Sequence, residues 1–204
     1  MSRKLLSVVL CAVPFLAACG ASVQRVSLDK DVNLSEKLND SDASIAAKDI
    51  VNQCLNAPWL QRATAGGQTP VVKLGGIYFS DTKMHARPFL KMLQNDLSDA
   101  LINDGRVDFV ASDEESGALR AEVEEQQTYS SKDTRKEMNQ EIGTDYSLVG
   151  KITAVDDSSE GVSRKTTIVT YQIEMLLENV QTHKIVWKGS TKIRKMMKQS
   201  GFGL

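Results

Sequence analysis

Thr167-Ile168-Val169-Thr170-Tyr171-Gln172-Ile173-Glu174-Met175-Leu176-Leu177 is the stretch on which the fold turns. Thr167, Val169, Tyr171, Ile173, Met175 and Leu177 recur at every second position, the period of a strand with one face inward. A helix would scatter these residues around its axis, so the segment must lie in a sheet and bury its odd-numbered side. Gln181-Thr182-His183-Lys184 follows as a turn, and Ile185, Trp187 and Ile193 mark a last strand that carries Lys188 and Lys192 on its other side. Upstream, Asp145-Tyr146-Ser147-Leu148-Val149-Gly150-Lys151-Ile152 reads as a strand, and the polar run Asp156–Gly161 reads as the turn that leads into the quoted stretch. Three strands in succession with short connections imply an antiparallel meander.

The preceding residues alternate helical and extended patterns. Ser41 or Asp42 is a fitting cap for a first helix bearing Ile45, Ala47, Ile50, Val51, Cys54 and Leu55, and Pro58 stops it. Pro70–Phe79 reads as a buried strand in which Gly75-Gly76 lets another group come close. A phosphate cradle is excluded there, since no Gly-Lys-Ser/Thr follows and no third glycine stands in register. Pro88 fits the first turn of a second helix with Leu90, Leu93, Leu97, Ala100 and Leu101 as its stripe, closed by Asn103-Asp104-Gly105. Val107–Val110 is a short strand. Ser112 and Glu115 form a capping box for a third helix with Ala118, Leu119, Ala121 and Val123, running to about Gln127. A fourth helix carries Met138 and Ile142 and stops at Gly143. The expected fold is α/β in the α+β sense: a single mixed sheet of about four to five strands flanked by helices, ending in the antiparallel meander.

The other informative stretch is Leu16-Ala17-Ala18-Cys19, which closes the short apolar run Leu5–Phe15 behind Arg3 and Lys4. This resembles the lipobox of bacterial lipoproteins, in contrast to an ordinary secretory signal cut nearby with Cys19 incidental. The resemblance implies that residues 1–18 are a signal peptide to be removed, and that Cys19 is the lipid attachment site, carrying a diacylglycerol and an N-acyl chain. Gly20, where many inner-membrane lipoproteins have aspartate, then serves as a sorting signal to the outer membrane. Residues 19–41 are polar with no sustained period and read as a tether, with Val26–Leu34 as the stretch that could instead pack on the domain. Residues 42–204 form the globular domain.

Removing residues 1–18 leaves 186 of 204, one domain's worth, and leaves 23 basic against 26 acidic residues, a formal balance of minus three. Nothing in that charge suits nucleic acid. Cys11 departs with the signal and Cys19 is the anchor, so Cys54 has no partner for an internal disulfide and reads as a small buried hydrophobe. His85 and His183 have no second ligand at metal spacing, and neither a Gly-x-Ser-x-Gly elbow nor a Ser-x-x-Lys occurs, so no catalytic or metal residue is assigned. No cofactor or small-molecule substrate is expected beyond the covalent acyl groups. The run Asp113-Glu114-Glu115 suits a helix start, and Glu122, Glu124 and Glu125 suit a solvated face. The basic end Arg194-Lys195-Met196-Met197-Lys198 suits an anionic glycan or a partner's acidic patch or, more simply, charges that block edge pairing. Trp187 reads as core, and Trp59 as core or recognition aromatic.

Ala100-Leu101-Ile102-Asn103-Asp104-Gly105-Arg106-Val107-Asp108-Phe109-Val110, Glu125-Gln126-Gln127, Gln140–Gly150, Leu177–Trp187 and Ile193-Arg194-Lys195 occur in that order between residues 42 and 198. In that order, with the lipobox, they resemble the peptidoglycan-synthase activator lipoproteins of the LpoB type. The resemblance implies a non-catalytic lipoprotein on the inner leaflet of the outer membrane that docks on a class A penicillin-binding protein and stimulates glycan polymerisation and cross-linking. Two departures stand out: Gly76–Thr82 lacks the asparagine common after the family's first strand, and the tether is short where relatives carry a long proline-rich one. The alternative is an outer-membrane assembly or secretion accessory with a related CsgG-like domain, also acting by contact. An envelope hydrolase is a distant third. No partner-binding surface is assigned by the sequence.

Overall fold

The computed structural model describes Ser27 and residues 35–81, 87–110, 113–129, 143–161 and 164–200. The chain divides into a unit Met1–Lys30, in which Ser27 is exposed, and a unit Asp31–Leu204, which carries every element below. Cys19, Gly20, His85, Ser112, and the helix expected around Met138 and Ile142 lie outside the described residues, as does Val26–Leu34 apart from Ser27.

Helix α1 spans Asp40–Leu55, two residues earlier than a Ser41 cap would start it. Asn39 is the cap: its side-chain oxygen accepts from the Asp42 N–H at 3.0 Å, and the Asp42 carboxylate accepts from the Asn39 N–H at 2.8 Å. This reciprocal pair satisfies two of the donors that a helix start leaves orphaned. Ala43, Ala46, Ala47, Ile50, Val51, Cys54 and Leu55 are buried at the three-and-four spacing of one helix face. Ile45, expected on that face, is 60% exposed, because it falls in line with Lys48, Asp49 and Asn52 instead.

Pro58 does more than stop α1. After the break at Asn56-Ala57 it opens a short second helix, α2 (Pro58–Ala63), where its missing N–H costs nothing. That helix places Trp59 in the core, its indole N–H donating to the Cys54 carbonyl at 2.7 Å and its ring tilted 5.1 Å from that of Tyr146. Trp59 is therefore packing, not recognition. A single 3₁₀ turn, Thr64–Gly66, closes on Gly67 in the left-handed region.

Strand β1 (Val71–Phe79) leads to helix α3 (Arg87–Asp104), which buries Phe89, Leu93, Leu97 and Leu101, with Leu90 and Ala100 packed at the margin. Gly105, at φ +73°, ends it as expected. Strand β2 (Asp108–Val110) pairs parallel with β1, and helix α4 covers Asp113–Tyr129. Strands β3 (Tyr146–Gly161), β4 (Arg164–Asn179) and β5 (Ile185–Ser200) then form the meander. The order is β2-β1-β3-β4-β5, with β1 parallel to β3 and the last three antiparallel: one mixed five-stranded sheet, as the sequence implies.

The expected turn at Asp156–Gly161 is not one. Each of these residues pairs with β4, from Asp156 opposite Val169 to Gly161 opposite Arg164. Polar composition suggests a turn locally, but β-prone Thr166, Thr167, Ile168 and Val169 across the ladder hold the segment extended. The second hairpin lies where expected. Asn179 Oδ1 accepts from the N–H and hydroxyl of Thr182 at 2.8 and 2.7 Å, and His183 takes a positive φ of 56°.

The glycine pair in β1 carries a bulge. Leu74 faces Leu148 and Ile77 faces Gly150, so β1 spends one residue more than β3 over this step. A Cβ on Gly75 would lie 2.6 Å from Val149 Cγ1 and 2.8 Å from Ser147 Oγ, which is the close approach that the sequence anticipates. The β-branched Val149 cannot rotate away freely. Gly150, on the opposite face, lies under the buried Met175 side chain. We expect Gly75→Ala and Gly150→Ala each to destabilise the domain by about 1–3 kcal/mol through overpacking, read as a lower urea midpoint at unchanged slope.

Candidate functional site

The sheet has two chemically different faces. Leu148 and Ile152 of β3, Val169, Tyr171, Ile173, Met175 and Leu177 of β4, and Trp187 and Ile193 of β5 share one side by register. Helix α1 lies over it, with Gln53 Nε2 donating to the Ser190 carbonyl at 3.4 Å. On the other side, rows such as Lys151–Glu174–Ser190 and Thr153–Gln172–Lys192 are polar. Glu174 binds Lys188 at 2.9 Å and Lys151 at 3.5 Å. The hydrogen bond from Lys188, then the charges of both lysines, hold its carboxyl below the ordinary 4.5.

Strand β1 accompanies β3 only as far as Phe79 opposite Ile152. Beyond that point β3, β4 and β5 continue as a three-stranded ribbon, roughly 30 Å long at 3.3 Å per residue. On the inner face of this ribbon the chain that precedes α1 is fastened. The Tyr171 hydroxyl donates to the Glu36 carbonyl at 3.1 Å, and Lys195 Nζ donates to the Lys37 carbonyl at 2.9 Å. Lys195 also forms an ion pair with Asp42, both side chains being about nine-tenths buried. Leu38 packs against the core beside them. Burial, followed by the nearby Asp156, Glu36 and Asp42 carboxylates, raises the Tyr171 hydroxyl above the usual 10.0 and keeps it a donor.

The basic end does lie on an edge strand, as the edge-blocking reading has it, but Lys195 departs from that reading by being buried in this joint. Lys195 shares the parity of Ile193, the inward one, and that parity was the available signal; composition alone hides it. Lys192, Arg194 and Lys198 do point outward, and Arg194 Nε donates to Thr170 Oγ1 at 3.2 Å. Trp187 is half-buried over Gly189, in agreement with its core reading.

A second feature sits at the opposite end of α1. Leu55, Asn56, Ala57, Pro58, Leu60 and Arg106, among others, line an open groove of about 540 Å³. Arg106 closes one wall: its guanidinium grips the Asp104 carboxylate at 2.6 and 2.9 Å, the Leu55 carbonyl at 2.9 Å and Asn56 Oδ1 at 3.1 Å. These bonds satisfy carbonyls at the α1 end and tie it to the turn after α3. The same side-chain bonds lower the Asp104 carboxyl below its ordinary range. The arrangement is a clamp between two helix ends.

Of the residues that the sequence singles out for chemistry, Cys54 and His183 are described. Burial pushes the Cys54 thiol up to about 12, so it stays protonated and inert. Among the described residues no group of three His, Cys, Asp or Glu side chains is placed to hold a metal, and the His183 ring lies 3.0 Å from Glu178 on an exposed turn. No described helix is long and apolar enough to cross a membrane.

The molecule is thus a small α+β module whose distinctive features are a fastened entry segment, a projecting ribbon and an open sheet face. The model of the peptidoglycan-synthase activator LpoB family matches residues 42–193, and the chain belongs to that family. Its members are periplasm-facing lipoproteins that regulate penicillin-binding proteins and do not themselves catalyse a reaction. Among solved structures, the LpoB C-terminal domain of Salmonella enterica is similar at 18% identity and a TM-score of 0.38, covering 76% of this chain and 99% of that one. The Escherichia coli LpoB C-terminal domain is similar at 19% identity and a TM-score of 0.38, covering 74% and 98%. Lipoprotein GNA1162 of Neisseria meningitidis follows at 17% and 0.33, covering 63% and 84%. A search of curated proteins found no match.

Two measurements check this geometry. Lys195→Met leaves Asp42 buried without its cation and should cost about 3–5 kcal/mol in urea unfolding. The Glu174 carboxyl is depressed in the folded state, so its stabilisation is complete above 4.5 and is lost as pH falls through and below that value. Glu174→Gln should accordingly flatten the acid limb of the Tm profile below pH 4.5.

Proposed function

We propose that this chain is an outer-membrane lipoprotein, acylated at Cys19, that binds a class A penicillin-binding protein in the periplasm and activates its peptidoglycan synthesis. The family match over residues 42–193 carries the reading. Activation by contact has a thermodynamic requirement: the domain must bind the synthase's active conformation more tightly than its resting one, and a tenfold gain in the active population needs about 1.4 kcal/mol of that difference.

The anchor has its own physics. Each buried methylene contributes about 0.8 kcal/mol, so three acyl chains on one residue hold the protein at the membrane permanently. Gly20 then directs it to the outer membrane, facing the periplasm. Since Glu36 and Lys37 are bonded to the ribbon, the proposed tether ahead of them, residues 19–34, reaches at most about 55 Å. A short reach of this kind favours a synthase that itself extends toward the outer membrane.

Purified chain added to a class A synthase should raise the rate of lipid II polymerisation several-fold, and immobilised chain should retain the synthase. No retention together with no stimulation would refute the activator role and turn attention to a secretion or assembly partner. Labelled palmitate should enter the wild-type protein and be absent from Cys19→Ala; equal labelling would remove the anchor.

A further inference from the structure

We infer that the outer face of the ribbon is a lipid-facing surface, which seats the domain on an anionic phospholipid layer beside its own anchor; the inference rests on the proposed acylation of Cys19. Lys192, Arg194, Met196 and Lys198 alternate along the edge strand β5 and share that face. All four are exposed, Met196 at 58%, and Val155 beside them in the same register is 63% exposed. Lys192 and Lys198 meet no described acidic group, and Arg194 has only the Thr170 hydroxyl. One carboxylate, Asp157, shares the outer half of this face, opposite Ile168 and two strands from Met196. Three cations against one anion, with exposed thioether and valine side chains between them, is the chemistry of a surface that meets phosphate headgroups while its apolar groups press into the interface.

The position of the entry segment selects the occupant. The tether reaches the domain at Glu36 and Lys37, which are bonded to Tyr171 and Lys195. Lys195 directly adjoins Arg194 and Met196 in sequence and lies within about 10 Å of both Lys192 and Lys198 along the strand. The sixteen residues 19–34 can span at most about 55 Å, so the proposed anchor lies within that length of the point where the chain is bonded to β4 and β5. Each cation near an anionic layer is worth about five-fold in affinity, so three opposed by one carboxylate give a net preference of roughly 25-fold.

The test uses the acylated chain reconstituted into vesicles of phosphatidylcholine alone and with phosphatidylglycerol added, probed by a water-soluble amine-acetylating reagent and mass spectrometry. Lys192 and Lys198 should react at least three-fold more slowly on the anionic vesicles, with Lys48 and Lys184 unchanged. High salt should abolish the difference, as expected for exposed charges screened within about 10 Å at 0.1 M. Equal rates on both vesicles would overturn the inference. So would protection that arises only when a class A synthase is added, which would make the face a protein contact. If the amino end proves unacylated, the anchor fails separately. The same chain mixed with free anionic vesicles still decides the matter: salt-sensitive co-sedimentation lost in Lys192→Gln with Lys198→Gln supports the ribbon surface, and no co-sedimentation refutes it.

Discussion

Strand β4 is the member on which the rest of the domain depends. It is paired with a neighbour on each side along essentially its whole length, from Arg164 to Asn179. Its odd-numbered residues from Val169 to Leu177 are all buried. A strand in that position cannot slip by one residue without turning five core side chains into water and their polar alternates into the core, so it fixes the register of β3 and β5 together. At about 1.5–3 kcal/mol for each large buried side chain, such a slip costs about as much as the whole net stability of an ordinary domain. The bulge at Gly75-Gly76 and the close contact at Gly150 are local adjustments to that register, letting β1 follow β3 while the faces stay in phase.

The same strand connects the fold to the way the protein is tethered. Tyr171 belongs to the buried parity, yet its hydroxyl reaches beyond the apolar layer to the Glu36 carbonyl. Lys195, on the neighbouring strand in the next inward row, does the same with Lys37 and Asp42. Asp42 is in turn part of the capping box that starts α1. Cap, ion pair and strap are therefore one hydrogen-bonded unit: the residues that begin the first helix also fix where the entering chain meets the sheet. A pull on the tether is delivered to the ribbon and not to a fraying helix end. The buried pair adds little net stability against an apolar substitute of equal shape, but removal of either charge alone is costly, so its contribution is to the definition of this joint.

The clamp at the other end of α1 has the same logic in weaker form. Arg106 bonds two helix termini through partly exposed groups, so solvent reduces its energetic value while its planar fork still fixes the orientation. Trp59 and the short helix behind Pro58 fill the space between that clamp and Tyr146. Helix α1 covers one sheet face, and the exposed charges of Lys192, Arg194 and Lys198 lie on the other.

Much of this was legible in the residues themselves. The alternation from Thr167 to Leu177, the helix stripe Leu93, Leu97 and Leu101, and the glycine at residue 105 each follow from a local rule, because period and left-handed φ are properties of a few adjacent residues. The family was legible for the same reason, as an ordered set of such local phrases. What lay beyond the sequence depends on partners far along the chain. Asp156–Gly161 is extended because β4 lies beside it, Ile45 is exposed because the core takes the α1 face of Ala43, Ala46, Ala47 and Ile50, and the helix that Pro58 opens is tied to the core by the Trp59 contacts to Cys54 and Tyr146. Lys195, one cation in a basic run, is buried because Asp42 and the Lys37 carbonyl are waiting for it. The sequence by itself determined the elements, their periods and the membership of the family, since these are short-range regularities. Only the tertiary structure decided which charges are spent inside and which remain on the surface, because that is set by which side chains the sheet register brings face to face.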